Sequence, residues 1–440
     1  MNRRDFIKAG TSAFFVASAS RILGDGAASN RVRLAVMGCH EGGRGRWVLN
    51  AMMHTPGVEI AWVCDVDSRA MDFAAAYVEK ETGFRPKKEK DVRRVLEDPL
   101  LDGLICETPD HWHACAAVMA MNAGKAIYVE KPCCFCPAEG ERLLAEWKRT
   151  RQVFQMGNQR RASKTYKEAI AWATDGLPLG ELKYARAWYD AKRPANGIGR
   201  KSPVPNWLDW DLWQGPAPRT EFHDNYIHYK WHWFRRWGTA ESGNNAPHFL
   251  DVARWALGVQ FPSRVISGGG LCFPQSDDEY EWPDTFNMTF EYPGEKVIAW
   301  EGVSHLKLNT FMGHSTGAVV YGSNGSLLFA PDDTVTAFDP KGGIIRKWKT
   351  EGLTATGSLT DPTQGIDPLH SARFVECIRT RDLRTNAPAD EAVMSSFMPL
   401  VGNIAQLSGE SVRLDPLSGR LLTKTVEDCW TREYEKGWAF

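Results

Sequence analysis

The stretch "VRLAVMGCHEGGRGRWVLNAMM", residues 32–53, decides the fold. Its first six residues are apolar apart from Arg33, a short run bounded by glycine that reads as a buried strand. Glycines at 38, 42, 43 and 45 supply a tight turn, and "RWVLNAMM" then begins a helix. The same alternation runs on downstream: "VEIAWVCDVD" (58–67) and "LDGLICETP" (101–109) read as strands, "RAMDFAAAYVEKE" (69–81) and "HACAAVMAMNAG" (113–124) as helices, and "KAIYVEKP" (125–132) as another strand. Strands apolar throughout and joined by crossover helices imply an α/β fold with a parallel sheet covered on both faces.

Ligands of such sheets bind beyond the carboxyl ends of the strands. There the loop after the first strand brings backbone amides to the positive end of a helix, where a pyrophosphate can sit. Gly38, Gly43, Arg44 and Gly45 are its candidate contacts. His40 stands where a G-x-G-x-x-G pattern has its second glycine, so by itself the loop also fits an ordinary glycine-rich turn. Asp65 ends the second strand, and a carboxylate there can bond both ribose hydroxyls, which favours NAD over NADP. Arg69 could face a 2′-phosphate, but Asp65 and Asp67 would repel one. Lys131, just past the last strand, is either an ion-pair partner of Glu130 or a lysine whose pKa burial has lowered for chemistry. Adjacent strand residues point to opposite faces, which disfavours the ion pair.

The chain has 440 residues, enough for two or three domains, and its 53 basic and 54 acidic side chains leave a formal charge of −1. That balance offers no field to draw it to nucleic acid or anionic lipid and points to a small-molecule partner. The N-terminus, "MNRRDFIKAG", sets Arg3 and Arg4 before a weakly apolar, Ser-rich stretch and "GAAS". This predicts a twin-arginine export signal over residues 1–28, hence recognition by the twin-arginine export machinery and a periplasmic or secreted protein. No later stretch is apolar for long enough to span a bilayer. The ten cysteines form no dense disulfide pattern and are expected mostly as free thiols, and "CCFC" (133–136) lacks paired Cys-x-x-Cys spacing, so no metal site is expected.

Five stretches together resemble the Gfo/Idh/MocA family of glucose-fructose oxidoreductase and inositol dehydrogenase relatives, in its exported branch. They are "ETPDHWHA" (107–114), "AGKAIYVEKP" (123–132), "NWLDWDLWQGPAP" (206–218), "GTAESGNNAPHFLDVARWALG" (238–258) and "HSARFVECIRTRD" (370–382). The resemblance implies an N-terminal Rossmann domain, doubly wound, over residues 30–152. It also implies a C-terminal α+β substrate-binding domain with an open, mostly antiparallel sheet over 153–440, and a homodimer or homotetramer. Lys131 matches the family's glutamate-lysine-proline lysine between nicotinamide and substrate. Thr108, Pro109 and His113 match the loop along the cofactor, with Glu130 beside them. His248 matches the acid/base histidine of a D-x-x-x-H pattern whose first position here is Asn244, not aspartate. Without that charge His248 would be a weaker base, unless Asp251 takes over as its partner.

Beyond "QMGNQRR", segments such as "ELKYARAWY", "DTFNMTFEY", "EKVIAWEGV" and "AVVYGSNGSLLFA" alternate as strands of a half-covered sheet, and "RFVECIRTRD" and "AVMSSFMPLVGNIA" read as helices folding back. Before most of them lies an aromatic loop, "PNWLDWDLWQGPAPRTEFHDNYIHYKWHWFRRWG". Arg160, Tyr189 and Trp233 are candidates for the walls of a sugar pocket, with core or interface packing the other reading for the tryptophans. Two activities follow from the resemblance. One is NAD-dependent oxidation of a carbohydrate or polyol hydroxyl with tightly retained cofactor. The other is glycoside hydrolysis through transient oxidation, elimination and re-reduction.

Overall fold

The computed structural model describes residues 31–272, 276–307, 311–350 and 365–439, so the expected export signal lies outside the described residues. The first domain runs β1 (Val32–Met37), α1 (Arg44–Met53), β2 (Val58–Cys64), α2 (Ser68–Thr82), β3 (Lys87–Glu89), α3 (Val92–Leu96), β4 (Gly103–Cys106), α4 (Asp110–Asn122), β5 (Ala126–Val129), α5 (Pro137–Thr150) and β6 (Phe154–Met156). All its strand pairs are parallel, in the order 3-2-1-4-5-6, the doubly wound Rossmann arrangement. β6 pairs with β5 and continues the sheet past residue 152. The central strands are apolar because both faces are covered: Leu34, Val36, Leu104, Ile105 and Ile127 are all fully buried.

The second domain continues with α6 (Lys164–Thr174), β7 (Leu182–Asp190), α7 (Trp210–Gln214) and α8 (Ala240–Leu257). Strands β8 (Arg264–Gly270), β9 (Thr285–Tyr292), β10 (Lys296–Val303), β11 (Thr316–Gly322), β12 (Gly325–Phe329), β13 (Val335–Phe338) and β14 (Ile344–Trp348) follow. Helices α9 (Ile366–Thr380) and α10 (Ala389–Ser408) precede the short β15 (Val412–Arg413). The nine strands form one sheet ordered 14-13-12-11-7-10-9-8-15, in which only β7 and β10 pair in parallel. One face packs Phe286, Met288, Phe290 and Trp300 against Phe249 and Leu250 of α8 and Val401 of α10. The alternation seen in "DTFNMTFEY" and "EKVIAWEGV" is the trace of that one-sided burial.

Two features tie the domains together. Helix α9 folds back onto the Rossmann domain, where Phe374, Val375 and Cys377 join a core with Val36, Met52 and Tyr128. The aromatic segment between β7 and α8 builds its own cluster from Trp210, Trp213, Phe222, Trp231, Phe234 and Trp237, so these tryptophans are mainly core. This segment reaches across to the turn between β2 and α2: Ser68 N donates to Trp207 O at 2.9 Å, and Asp209 N to Val66 O at 2.9 Å. All ten cysteines are free, with Cys39, Cys64 and Cys106 buried at the strand ends.

Candidate functional site

A cavity of about 300 Å³ opens beyond the carboxyl ends of the parallel strands, between the domains. Its wall begins with the glycine loop. Gly38 sits at φ +90°, and a Cβ there would lie 2.5 Å from the Glu107 carbonyl oxygen; a Cβ on Gly45 would lie 2.4 Å from the Gly38 oxygen. Only glycine lets this loop fold so tightly against β4. The first turn of α1 follows Gly43, which provides no side-chain cap, so the helix end is left to an outside anion. Asp65 Oδ2 accepts from Cys39 N at 2.6 Å and Oδ1 from Asp67 N at 2.9 Å, and burial raises its carboxyl to about 6. It therefore anchors the loop to β2 as well as lining the cavity.

The residues fit a dinucleotide. Gly38, Gly43, Arg44, Gly45, Asp65, Thr108, Pro109, His113 and Glu130 all line this one cavity. Arg69 is engaged with Asp67 through Nε (3.1 Å) and Nη2 (2.9 Å), and its Cζ stacks 3.4 Å above the Trp207 ring, which leaves it poorly placed for a 2′-phosphate. His113 braces the wall: its ring nitrogens face the carbonyl oxygens of Pro132 (2.6 Å) and Thr108 (2.8 Å). Arg44 grips Asp367 through both Nη atoms at 2.6 Å and Glu130 through Nε at 3.2 Å. Glu130 thus pairs with Arg44, while Lys131 donates only its backbone N–H to that carboxylate, at 3.1 Å.

Lys131, Asn244 and His248 meet in the same cavity, brought there by the end of β5 and the first half of α8. Lys131 Nζ donates to Asn244 Oδ1 at 3.0 Å. Burial pulls the Lys131 ammonium below its ordinary value, against the opposing pull of Glu130 and Asp110. Burial, and then the Lys131 charge, hold His248 well below the usual imidazole range, so it is neutral near pH 7. Opposite them, Arg193 forms a fully buried pair with Glu241 (Nε–Oε2 2.9 Å) and donates to the hydroxyls of Tyr229 (2.8 Å) and Tyr189 (2.9 Å).

Comparison with known proteins accounts for this architecture. Residues 32–158 match the family profile described as "Oxidoreductase family, NAD-binding Rossmann fold". Residues 32–158 thus match the NAD-binding Rossmann domain of the Gfo/Idh/MocA family. It is 31% identical to the scyllo-inositol 2-dehydrogenase (NAD(+)) of Bacillus subtilis over 140 residues, 32% of this chain and 39% of that protein. It is 26% identical to a glycosyl hydrolase family 109 protein of Shewanella pealeana over 162 residues, 36% of this chain and 35% of that protein. The chain therefore spans little more than a third of those relatives' length. A levoglucosan dehydrogenase solved with NADH and levoglucosan shares the fold over 87% of this chain and 99% of its own, with a TM-score of 0.64 at 16% identity.

Several Gfo/Idh/MocA expectations shift. Asn244 partners Lys131, not His248. Asp251 points away into a buried network, accepting from Arg161 Nε (2.7 Å) and Nη2 (2.8 Å) and from Ser395, so it is no partner of His248. Arg160, Tyr189 and Trp233 do not line the cavity. Arg160 is spent on the Tyr166 hydroxyl (3.2 Å) and the Phe249 ring, Tyr189 accepts from Arg193, and Trp233 is 1% exposed beneath Tyr229 and Tyr280. In their place stand Arg193, Tyr229, Trp231 and His232. The signal was present in "HYKWHWFRRWG", but a 3-10 turn over Lys230–Trp233 directs His232, not Trp233, into the cavity, and side-chain spacing alone does not reveal such a turn. His40 of the glycine loop stacks on His228 at 4.1 Å, and His228 Nε2 lies 3.0 Å from Asp67 Oδ2.

Proposed function

We propose that the protein oxidises a hydroxyl of a carbohydrate or polyol, with NAD held in the Rossmann domain and retained through the catalytic cycle. The observation that carries this reading is the ammonium of Lys131. It sits in the cavity wall beyond β5 with an amide oxygen, not a carboxylate, as its hydrogen-bond partner. A lysine so placed keeps donor capacity for a substrate oxygen and stabilises the alkoxide that develops as the hydroxyl proton leaves. NAD, when bound, supplies a hydride acceptor. Gly38, Gly43 and Gly45 would admit its pyrophosphate, Asp65 its ribose, and Thr108 and Pro109 the stretch toward nicotinamide. Neutral imidazoles in the same cavity supply a site for the departing proton.

Retention follows from the export proposed from Arg3 and Arg4. Free dinucleotide is scarce outside the cytoplasmic membrane, so a cofactor seated before export must be regenerated on the protein. The hydride would return to a second sugar carbonyl or to the same substrate. A homodimer or homotetramer belongs to the same proposal. Purifying the exported protein without added cofactor, denaturing it and assaying the supernatant tests the reading. Near-stoichiometric NAD(H) is expected; an empty protein that needs millimolar NAD would point to an ordinary exchanging dehydrogenase.

A second reading, a glycoside hydrolase working through transient oxidation, is favoured by the similarity to glycosyl hydrolase family 109 proteins over the cofactor half. Release of chromophore from aryl glycosides would support it. Reduction of a dye acceptor by free sugars would support the first reading.

A further inference from the structure

We infer that His232, rather than His248, accepts the hydroxyl proton of the substrate, an inference that rests on the hydride-transfer reading above. His232 Nδ1 lies 2.6 Å from the Tyr229 carbonyl oxygen. A carbonyl can only accept, so Nδ1 carries the proton of the neutral ring and Nε2 carries the lone pair. The ring lies flat on Trp231, with centroids 3.6 Å apart at 18°, which fixes its direction. Among the described residues Nε2 has no hydrogen-bond partner, and the ring lines the cavity that holds Lys131.

His248 shows the opposite pattern. Its Nδ1 is buried with no partner. An orphaned N–H is rarer and costlier inside a protein than an unpaired lone pair, so the ring proton belongs on Nε2. His248 then presents a donor where His232 presents an acceptor. Oxidising a CH–OH group breaks the O–H bond, whose electron pair becomes the second C–O bond, while the C–H pair would leave as the hydride that NAD, when bound, would accept. The proton goes to His232 Nε2. Lys131 and the His248 N–H steady the oxygen.

The groups that bear on His232 are Lys131, Arg193 and His113, together with the Tyr229 carbonyl and the rings of Tyr229, Trp231 and Trp233. Burial is the larger influence, and the positive charges of Lys131 and Arg193 add to it by disfavouring a positive charge on the ring. Such a base remains available well below neutral pH and gives its proton up readily.

Two measurements test the assignment. Ring-nitrogen NMR of the full protein labelled with ¹⁵N-histidine, assigned with His232→Gln and His248→Gln, should show the proton on Nδ1 in His232 and on Nε2 in His248. The reversed pair would overturn the inference whatever the substrate. In the pH profile for reduction of bound nicotinamide by sugar, His232→Gln should lower the rate about a hundred-fold or more and erase the acid limb. His248→Gln should keep the limb and raise KM. Loss of the limb in His248→Gln with a normal limb in His232→Gln would return the role to His248. Expected tautomers in a protein that no sugar reduces would overturn the hydride-transfer reading itself, and the two failures are thereby told apart.

Discussion

Asn244 stands where an aspartate would give Lys131 a charged partner, and this one amide sets how easily the lysine sheds its proton. Burial already lowers the Lys131 pKa, and the neutral Oδ1 at 3.0 Å offsets little of that shift. The rate should therefore fall on the alkaline side as pH rises through a value below the usual lysine range. Asn244→Asp places a negative charge against the ammonium and should move this alkaline limb upward by about one unit or more. The acid limb, which belongs to an imidazole, should stay nearer its place. An unmoved alkaline limb would show that Lys131 does not titrate in turnover. Lys131→Ala removes only the charge at the reacting oxygen. It should abolish turnover and leave the dinucleotide bound, as read by denaturing the variant and assaying its nicotinamide content.

At the scale of elements, helices α8 and α10 are joined by charges and not only by apolar packing. Arg161 and Arg254 both reach Asp251 of α8 and Glu391 of α10, all but Glu391 nearly fully buried. The arginines hold the Asp251 carboxyl below its usual range against the cost of burial. A carboxylate whose folded pKa is depressed adds stability above its unfolded value and loses it as pH falls through the folded one. Asp251→Ala strands buried guanidinium groups and should destabilise the fold by about 3–5 kcal/mol in denaturant titration. The acid limb of activity in the folded fraction should be unchanged, because Asp251 bonds to Arg161, Arg254 and Ser395 and to neither His232 nor His248. A shifted limb at wild-type stability would contradict this placement.

Across the whole molecule, the cofactor loop is clasped by a helix from the far end of the chain. Arg44 opens α1, Asp367 opens α9, and their bidentate contact locks the second domain onto the glycine loop. Asp367→Asn keeps the shape but removes the charge and leaves Arg44 with Glu130. It should speed amide exchange at the start of α1 and in α9, and it should lower the dinucleotide retained after dialysis. Unchanged exchange and full retention would mean that the clasp plays no part in holding the cofactor.

The parallel first domain was legible in residues 32–132, because strands covered on both faces must be apolar throughout and their glycine turn must be tight. Every cofactor candidate read there lines the cavity, since those residues follow directly from strand ends. The helix–strand pattern of the second domain was legible for the same reason, from one-sided burial. Tertiary structure alone decided the far wall. Lys131 and Asn244 are 113 positions apart, and Arg193 and Glu241 are 48 apart. Arg160, Tyr189 and Trp233 carried suitable chemistry but were turned into the core. His232, one residue from Trp233, was turned into the cavity by a single 3-10 turn. Residue type and strand period reach only as far as local backbone geometry; which side chain of an irregular loop faces a cavity depends on the packing of segments distant in sequence.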